Sequence, residues 1–261
     1  MEQRLSHQLV RLLFMFVFAL ASLPVAHAGA SQVDRVQLTV IGDSLADGIW
    51  AGLHRNLRRE KRFRIKREAK VSSGLAAFDW YSKAEQLLGD DVDVVVMMVG
   101  TNDGRAIRRP GQARIAYRSA GWRDEYAERV DALVDLFSAH GVYTVWVGLP
   151  MMRTDSMRKQ ARLINGIFAE VLDGREKVRF LPTWELTSDD KGEYMAYAQI
   201  DDSGRPRMFR AKDGVHFTMQ GYQYIARHVQ QIIEAEYLAR HQRVGPDEAS
   251  RKSIDVYTFV H

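Results

Sequence analysis

The sequence has no cysteine among its 261 residues, so disulfide bonds and thiolate metal sites are both excluded. It also lacks a strong charge imbalance: 37 Lys and Arg residues face 33 Asp and Glu residues, a formal net charge of +4. Such a mild positive balance gives no support for a nucleic-acid-binding protein. The absence of cysteine does not by itself identify the cellular compartment.

Neither an internal repeat nor a linker between domains is visible along the chain. The histidines, aspartates and glutamates form no cluster with the spacing of a metal site. We therefore expect no metal and no cofactor. The hydrophobic content of 46% is normal for a globular protein and is sufficient for a large core.

The first 28 residues have the three parts of an export signal. Arg4 and Arg11 form a basic region, an apolar run follows from Leu12 to Val25, and Ala26-His27-Ala28 is an A-x-A cleavage pattern. The run is shorter than the roughly 20 apolar residues of a membrane span. We expect a signal peptide over residues 1–28 and a periplasmic protein, with an uncleaved anchor as the alternative. DNA, ATP and NAD are then not expected partners.

Strand-like and helix-like segments alternate through the rest of the chain. Apolar, β-branched runs over residues 36–41, 92–99, 142–148 and 178–181 predict buried strands, and the alternating segment 63–66 predicts a strand near a sheet edge. The alternation predicts a parallel sheet covered by helices on both faces, a three-layer α/β fold. We expect one domain over residues 29–240, a peripheral tail over 241–261, and an inserted hairpin within residues 185–210.

Ser44 lies where the first predicted strand passes into a helix. The strand stops at Gly42, and Leu45 and Ile49 begin an apolar period of four residues. Backbone N–H groups at a helix N-terminus have no partner within the helix, and the local dipole favours negative charge. Ser44 is thus a candidate nucleophile with oxyanion donors beside it. The alternative is that Ser44 only caps the helix.

Other polar segments follow predicted strands in the same way. Gly74 and Gly100–Asn102 come after strands, and Asp213 and His216 precede the last predicted helix. In an open parallel sheet, ligands bind beyond the carboxyl ends of the strands. These segments should therefore meet Ser44 at one edge of the sheet, and this convergence favours the nucleophile over the cap.

The residue types at this edge suit acyl transfer. His216 can take the proton of Ser44, and Asp213 can orient the imidazole and stabilise its charged form. The backbone N–H groups of Ser44 and Gly74 and the side-chain amide of Asn102 are the natural donors to an oxyanion. Each motif alone is weak, since an isolated Asp-x-x-His sequence is often a surface turn.

Four segments of the chain resemble the conserved blocks of the SGNH (GDSL-type) serine hydrolase superfamily. They are Gly42-Asp43-Ser44-Leu45, Gly74, Gly100-Thr101-Asn102-Asp103 and Asp213-Gly214-Val215-His216. Ser44, Gly74, Asn102 and His216 match the four letters of that name, and Asp213 matches the carboxylate of the triad. The resemblance implies a flavodoxin-like α/β fold of esterases, lipases, polysaccharide deacetylases and O-acyltransferases. Residues 71–75 and the exported character also resemble a bacterial branch with no assigned substrate.

The resemblance implies an acyl-Ser44 intermediate with three possible functions. Water as acceptor makes the protein an ester hydrolase, with O-acyl groups of cell-envelope glycans or similar small esters as substrates. A sugar hydroxyl as acceptor makes it a glycan O-acyltransferase, which would need a membrane partner to supply acyl groups. The third possibility is a non-catalytic envelope binding module, and the intact set of Ser44, Asn102, Asp213 and His216 argues against it.

Two kinds of residue are candidates for contacting the substrate. Trp80 could offer a sugar-stacking face, as could Trp50, Trp122 and Trp184, although a core position is the alternative for each. Arg105 follows the Asn102 loop, with Arg108 and Arg109 behind it, and could bind an anionic substrate. The alternative for these arginines is a solvated loop.

Overall fold

Five parallel strands form the centre of the computed structural model, which describes residues 35–89, 91–109, 111–201 and 203–243. They are β1 (Val36–Gly42), β2 (Phe63–Ala69), β3 (Val94–Met98), β4 (Tyr143–Val147) and β5 (Val178–Leu181), in the order β2-β1-β3-β4-β5. Every residue of β3 and β4 is buried. Central parallel strands are covered on both faces, which is why these two read as continuous apolar runs.

Within the described residues, six α-helices connect and follow the strands. They are α1 (Ser44–Asn56), α2 (Trp80–Leu87), α3 (Ala120–Ala139), α4 (Asp155–Leu172), α5 (Met219–Ile232) and α6 (Ala239–Arg243), with a π-helix over Ile233–Leu238 and a 3₁₀ turn over Glu185–Thr187. Side chains that accept a backbone N–H cap four of them: Asp43, Asp79, Ser119 and Thr218. Asp, Ser and Thr are favoured at this position because they satisfy N–H groups that the helix leaves free.

The helices form two groups on opposite faces of the sheet. The chain moves outward from β1 to β2 in one direction, and from β2 through β3 and β4 to β5 in the other. Because crossovers between parallel strands are right-handed, α1 lies on one face and α2, α3 and α4 lie on the other. Helix α5 packs against α1. The predicted three-layer α/β fold is therefore confirmed.

Two finer predictions are also confirmed. Strand β2 is an edge strand, and residues 185–210 contain an antiparallel pair, β6 (Tyr197–Ala198) and β7 (Arg207–Met208).

The predicted signal peptide over residues 1–28 lies outside the described residues, and so does most of the predicted tail, residues 244–261. Within the described ranges, no helix is both long and apolar enough to cross a membrane.

The carboxyl ends of β1 and β3 lie side by side, and this register positions the site. Gly42 pairs with Met98, and its φ of +133° is a conformation that favours glycine. A Cβ at position 42 would overlap the carbonyl oxygen of Met98. Glycine thus lets the chain turn sharply from β1 into α1, directly beside the end of β3.

Candidate active site

The hydroxyl of Ser44 is free of any capping role. Ser44 is the first residue of α1, and the N-cap is Asp43, whose carboxylate accepts the backbone N–H of Leu45 at 2.9 Å. The interpretation of Ser44 as a helix cap is therefore wrong, because its neighbour supplies the cap. The Ser44 side chain remains available for chemistry.

A continuous line of hydrogen bonds joins the three residues of the predicted triad. The Oγ atom of Ser44 lies 2.7 Å from Nε2 of His216, and Nδ1 of His216 lies 2.7 Å from Oδ2 of Asp213. Ser44 and His216 are 172 positions apart in the sequence. The serine begins the helix after β1, whereas the other two residues lie on the loop before α5.

The carboxylate of Asp213 is held by its own loop. Its Oδ1 atom accepts the backbone N–H groups of Val215 and His216, at 2.8 and 2.9 Å. Partial burial acts to raise the pKa of Asp213, but these two bonds and the bond to the His216 imidazole outweigh it and lower the pKa to about 2. Asp213 is therefore a charged acceptor at neutral pH, which suits it to orient the imidazole and stabilise its positive form.

Asn102 lies beside the peptide that joins Ser73 to Gly74. Its amide Nδ2 donates to the carbonyl oxygen of Ser73 at 2.8 Å, which leaves its second amide hydrogen free among the described residues. The backbone N–H groups of Ser44 and Gly74 also have no hydrogen-bond partner in the described part of the chain. These are the three donors that the sequence analysis assigned to an oxyanion hole.

The loop that carries Gly74 is held by a buried carboxylate that the sequence analysis gave no role. Asp103 accepts the backbone N–H groups of Leu75 and Ala76, both at 2.9 Å, and the hydroxyl of Tyr126 at 2.8 Å. A Cβ at position 74 would overlap this carboxylate. Glycine is needed at position 74 because Asp103 approaches so closely, and only the tertiary structure shows this.

Asp43 connects the ends of β1 and β3. Its second carboxylate oxygen accepts the backbone N–H groups of Gly100 and Thr101, at 3.2 and 3.1 Å. Asp43 is fully buried, and burial raises its pKa to about 6, although these hydrogen bonds act in the opposite direction. The residue fixes Ser44 relative to the Asn102 loop and makes no contact with the triad hydrogen bonds.

Arg210 was also missed by the sequence analysis. Its side chain is 1% exposed and donates to the carbonyl oxygens of Met151 and Val215, at 2.6 and 2.7 Å. Its guanidinium lies 4.3 Å from the ring centre of Phe217. Burial lowers the pKa of Arg210 to about 10. The sequence offers no signal for this role, since Arg210 stands in a polar, irregular segment.

Two depressions adjoin the site. One, of about 540 Å³, lies beside Ser44 and His216 and includes Trp50, Met219 and Tyr222. The other, of about 1100 Å³, begins at Thr101 and Asn102. We call the second depression the basic groove; its lining includes Leu75, Phe78, Tyr81, Arg105, Arg108 and Arg114.

The two predicted substrate contacts have different outcomes. Arg105 is exposed and lines the basic groove. Trp80 also belongs to the lining but is only 1% exposed, with Phe78 packed edge-on against its ring. A sugar could not stack on a ring with so little free surface, so the prediction of a stacking face at Trp80 is wrong. Its other interpretation, a core tryptophan, fits.

Metal binding has no support in this part of the molecule. Among the described residues, no group of three or more His, Asp or Glu side chains could hold a metal ion. The arrangement of Ser44, His216 and Asp213 instead provides a nucleophile, a base and an orienting carboxylate within hydrogen-bonding distance of one another.

Residues 37–232 match the protein family described as "Protein of unknown function (DUF459)". No curated protein matches the chain. Solved structures do resemble it. One is an alpha/beta hydrolase enzyme from the metagenome of Lake Arreo, Spain: it is 20% identical, the match covers 76% of this chain and 94% of the other, and the TM-score is 0.55.

Two further structures are also similar to the chain. An acetylxylan esterase from Geobacillus stearothermophilus is 17% identical, with 77% of this chain and 94% of the other covered and a TM-score of 0.53. A GDSL-like lipase from Bacteroides thetaiotaomicron is 16% identical, with 76% and 88% covered and a TM-score of 0.51. At these identities the likeness concerns the fold alone, and it agrees with the three-layer α/β fold that the sequence predicts.

Proposed function

The chain belongs to the DUF459 family, and from the residues of its own site we propose that it is a serine ester hydrolase acting through an acyl-Ser44 intermediate. The observation that carries the proposal is the line of hydrogen bonds from Ser44 through His216 to Asp213. A serine hydroxyl is a weak nucleophile until an adjacent base removes its proton. Here the base lies 2.7 Å away and is itself held by a carboxylate.

The first half of the reaction transfers the acyl group to the enzyme. Oγ of Ser44 attacks the carbonyl carbon of the ester, and its proton passes to Nε2 of His216. The tetrahedral intermediate then collapses: the bond to the alcohol oxygen breaks, and His216 returns the proton to the leaving alcohol. Asp213 remains a carboxylate throughout and stabilises the imidazolium.

The second half releases the acyl group. A water molecule attacks the carbonyl carbon of acyl-Ser44, and His216 takes a proton from that water. Collapse of the second intermediate breaks the bond to Oγ, and the proton on His216 returns to Ser44. The products are the free acid and the original enzyme.

In both halves the carbonyl oxygen becomes negative and needs fixed donors. We assign the backbone N–H groups of Ser44 and Gly74 and the side-chain amide of Asn102 to this role. Their support is that each retains an N–H without a partner in the described part of the protein. Such donors act in the transition state and can account for a large share of the rate.

We place this reaction in the periplasm, on O-acyl groups of cell-envelope glycans or similar small esters. The support for export is the signal-like sequence of residues 1–28. The support for a glycan is the size of the basic groove next to Asn102, about 1100 Å³. One similar structure is an acetylxylan esterase, so the fold is compatible with an acylated polysaccharide.

The second candidate is a glycan O-acyltransferase with the same triad. The observation that favours it is the same groove, which could hold a sugar acceptor in place of water. Such an enzyme would need a membrane partner as acyl donor. The two functions separate when purified protein receives an activated acetyl ester and an oligosaccharide: free acetate indicates hydrolysis, and acetylated sugar indicates transfer.

Labelling with a fluorophosphonate probe tests the shared nucleophile. We expect the probe to label the protein and Ser44→Ala to abolish the label. The matched control is Ser203→Ala, on the exposed hairpin, which should be labelled normally. Labelling that persists in Ser44→Ala would remove Ser44 from this role. Absence of label on the unmodified protein would leave the non-catalytic binding module as the better interpretation.

A further inference from the structure

We propose that the basic groove binds the glycan part of the ester and selects glycans that carry negative charge, as carboxylate or phosphate groups. This inference rests on the proposed function, because it names the substrate class of the same site. It concerns residues that take no part in the triad.

The position of the groove places it next to the reacting atoms. Its lining includes Asn102 and its neighbour Thr101, and also Leu75 and Ala76, which follow Gly74. Its volume of about 1100 Å³ slightly exceeds the range of about 300–1,000 Å³ that is usual for small-molecule pockets. An oligosaccharide ester could therefore have its acyl group near Ser44 and its sugar units in the groove.

The unpaired charge in the groove is positive. The guanidinium groups of Arg105, Arg108 and Arg114 are exposed and make no ion pair or hydrogen bond with the described residues. The lining has three carboxylates, and each has a partner. Arg109 contacts both Glu125 and Glu128, and Asp79 accepts the backbone N–H and the hydroxyl of Ser82. A guanidinium fork matches the oxygens of carboxylate and phosphate groups, which favours anionic ligands.

The loop that carries these arginines is anchored. Ile107 and Ile115 exchange two backbone hydrogen bonds, of 3.0 and 2.9 Å, across the loop. The buried indole of Trp122 donates to the carbonyl oxygen of Arg105 at 2.8 Å. The interpretation of a merely solvated loop does not explain this anchoring. Guanidinium groups on a fixed backbone lose less entropy on binding than those on a mobile one.

Aromatic side chains also belong to the lining of the groove. Phe78 and Tyr81 line it, and Tyr81 is 43% exposed. An exposed tyrosine ring can pack against the apolar face of a sugar while its hydroxyl remains in water. Aromatic surface and unpaired arginines in the same groove together fit an acidic saccharide better than a neutral sugar or a simple lipid.

Binding measurements with Ser44→Ala test this inference without catalysis. Calorimetry would compare trigalacturonate with its carboxyl-reduced form, and phosphorylated maltotriose with maltotriose. We expect at least one charged member to bind about tenfold or more tightly than its neutral match, the usual size of a charge-assisted hydrogen bond. The pair with the larger ratio identifies whether carboxylate or phosphate is preferred.

Variants then assign the preference to the groove. In the Ser44→Ala background, adding both Arg105→Gln and Arg114→Gln should lower the charged-to-neutral ratio at least about fivefold, since two charge-assisted contacts are removed. The control is Arg59→Gln, an exposed arginine outside the groove, which should leave the ratio unchanged. Ratios near one in both pairs would overturn the inference, and so would a preference that survives the double substitution or falls equally with Arg59→Gln.

Failure of this inference can be distinguished from failure of the proposed function. If the unmodified protein is not labelled by the fluorophosphonate and cleaves no ester, the proposal of a hydrolase is rejected. Binding to Ser44→Ala does not depend on that result. An active hydrolase without charge preference would reject only the inference about the groove.

Discussion

Two aspartates at this site have opposite surroundings. Asp213 is half-exposed and accepts three hydrogen bonds, which lower its pKa to about 2. Asp43 is buried, and burial raises its pKa to about 6. The first can stay charged beside an imidazole that gains and loses a proton. Asp43 accepts hydrogen bonds from backbone N–H groups, and its negative charge costs free energy because the side chain is buried.

The pH dependence of stability should reveal Asp43. Its pKa is about 6 in the folded protein against 3.8 for an unperturbed aspartate, so between these values the folded state holds more protons than the unfolded state. The free energy of unfolding contributed by Asp43 therefore falls as pH rises from about 4 to 6, by up to about 3 kcal/mol. The lowered pKa of Asp213 affects the stability only at pH values below this range. Denaturant titrations at several pH values, for the unmodified protein and Asp43→Asn, check this.

The two curves should differ in slope over that range. Asp43→Asn removes the titration, so its free energy of unfolding should fall less as pH rises than that of the unmodified protein. It should also be less stable at low pH, because an amide cannot accept all three backbone N–H groups. Parallel curves would contradict the account of Asp43.

Asn102 should act in the transition state and contribute little to the fold. We expect Asn102→Ala to lower kcat by about 10²-fold, the usual effect of losing one oxyanion donor. The circular dichroism spectrum should stay unchanged, because the lost bond to the Ser73 carbonyl is a single partly buried contact. Steady-state kinetics on an activated ester measure the effect, and full activity would exclude Asn102 from the oxyanion hole.

Two structural elements hold the reactive groups, and each depends on one buried side chain. The loop before α5 places Asp213 and His216. Arg210 holds this loop through hydrogen bonds to the carbonyl oxygens of Met151 and Val215. The loop after β2 places Gly74, and Asp103 supports it. Both supports act through backbone groups, so they determine the geometry of the site without touching the triad hydrogen bonds.

Replacement of Arg210 should affect stability and turnover together. Arg210→Met keeps most of the volume but leaves two carbonyl oxygens unpaired, which should cost about 2–4 kcal/mol of unfolding free energy. Because the loop with His216 loosens, kcat should fall more than KM rises. Arg210→Lys should recover part of kcat, and Arg205→Met, an exposed control, should change neither quantity. Unchanged kcat in Arg210→Met would show that the loop does not need this support.

A methyl group at position 74 should displace its loop. The Cβ of Gly74→Ala would overlap the buried carboxylate of Asp103, so we expect a loss of stability and at least about tenfold lower kcat, from a shifted oxyanion donor. The matched control is Gly166→Ala in α4, where a Cβ meets nothing within 4 Å. That substitution should stabilise the protein by up to about 1 kcal/mol. Equal effects of the two substitutions would contradict this explanation.

The whole molecule shows which kinds of information a sequence carries. The sheet was predictable because β3 and β4 are buried on both faces and are therefore apolar throughout. The reactive residues were predictable because strand ends in a parallel sheet share one edge. Arg210, Asp103 and the burial of Trp80 were not, because each depends on packing between segments distant in the chain. The π-helix over Ile233–Leu238 also left no periodic signal.

The same distinction applies to the groove. Arg105 was a candidate from its position after Asn102, but the sequence could not separate a substrate contact from a solvated loop. The proposal that Arg105 contacts the substrate is supported by the bridge between Ile107 and Ile115 and by the hydrogen bond from Trp122. Both are tertiary features. Charge that is unpaired and held on a fixed backbone becomes visible only in three dimensions.

The most direct test of the central claim is to trap the acyl-enzyme. Purified protein would react with an activated acetyl ester, the reaction would be quenched in acid within the first turnover, and the digest would be analysed by mass spectrometry. We predict a mass increase of one acetyl group on the peptide that contains Ser44, and its absence in Ser44→Ala. Cleavage of the ester with no acetyl group on Ser44, or with the acetyl group on another residue, would contradict the account.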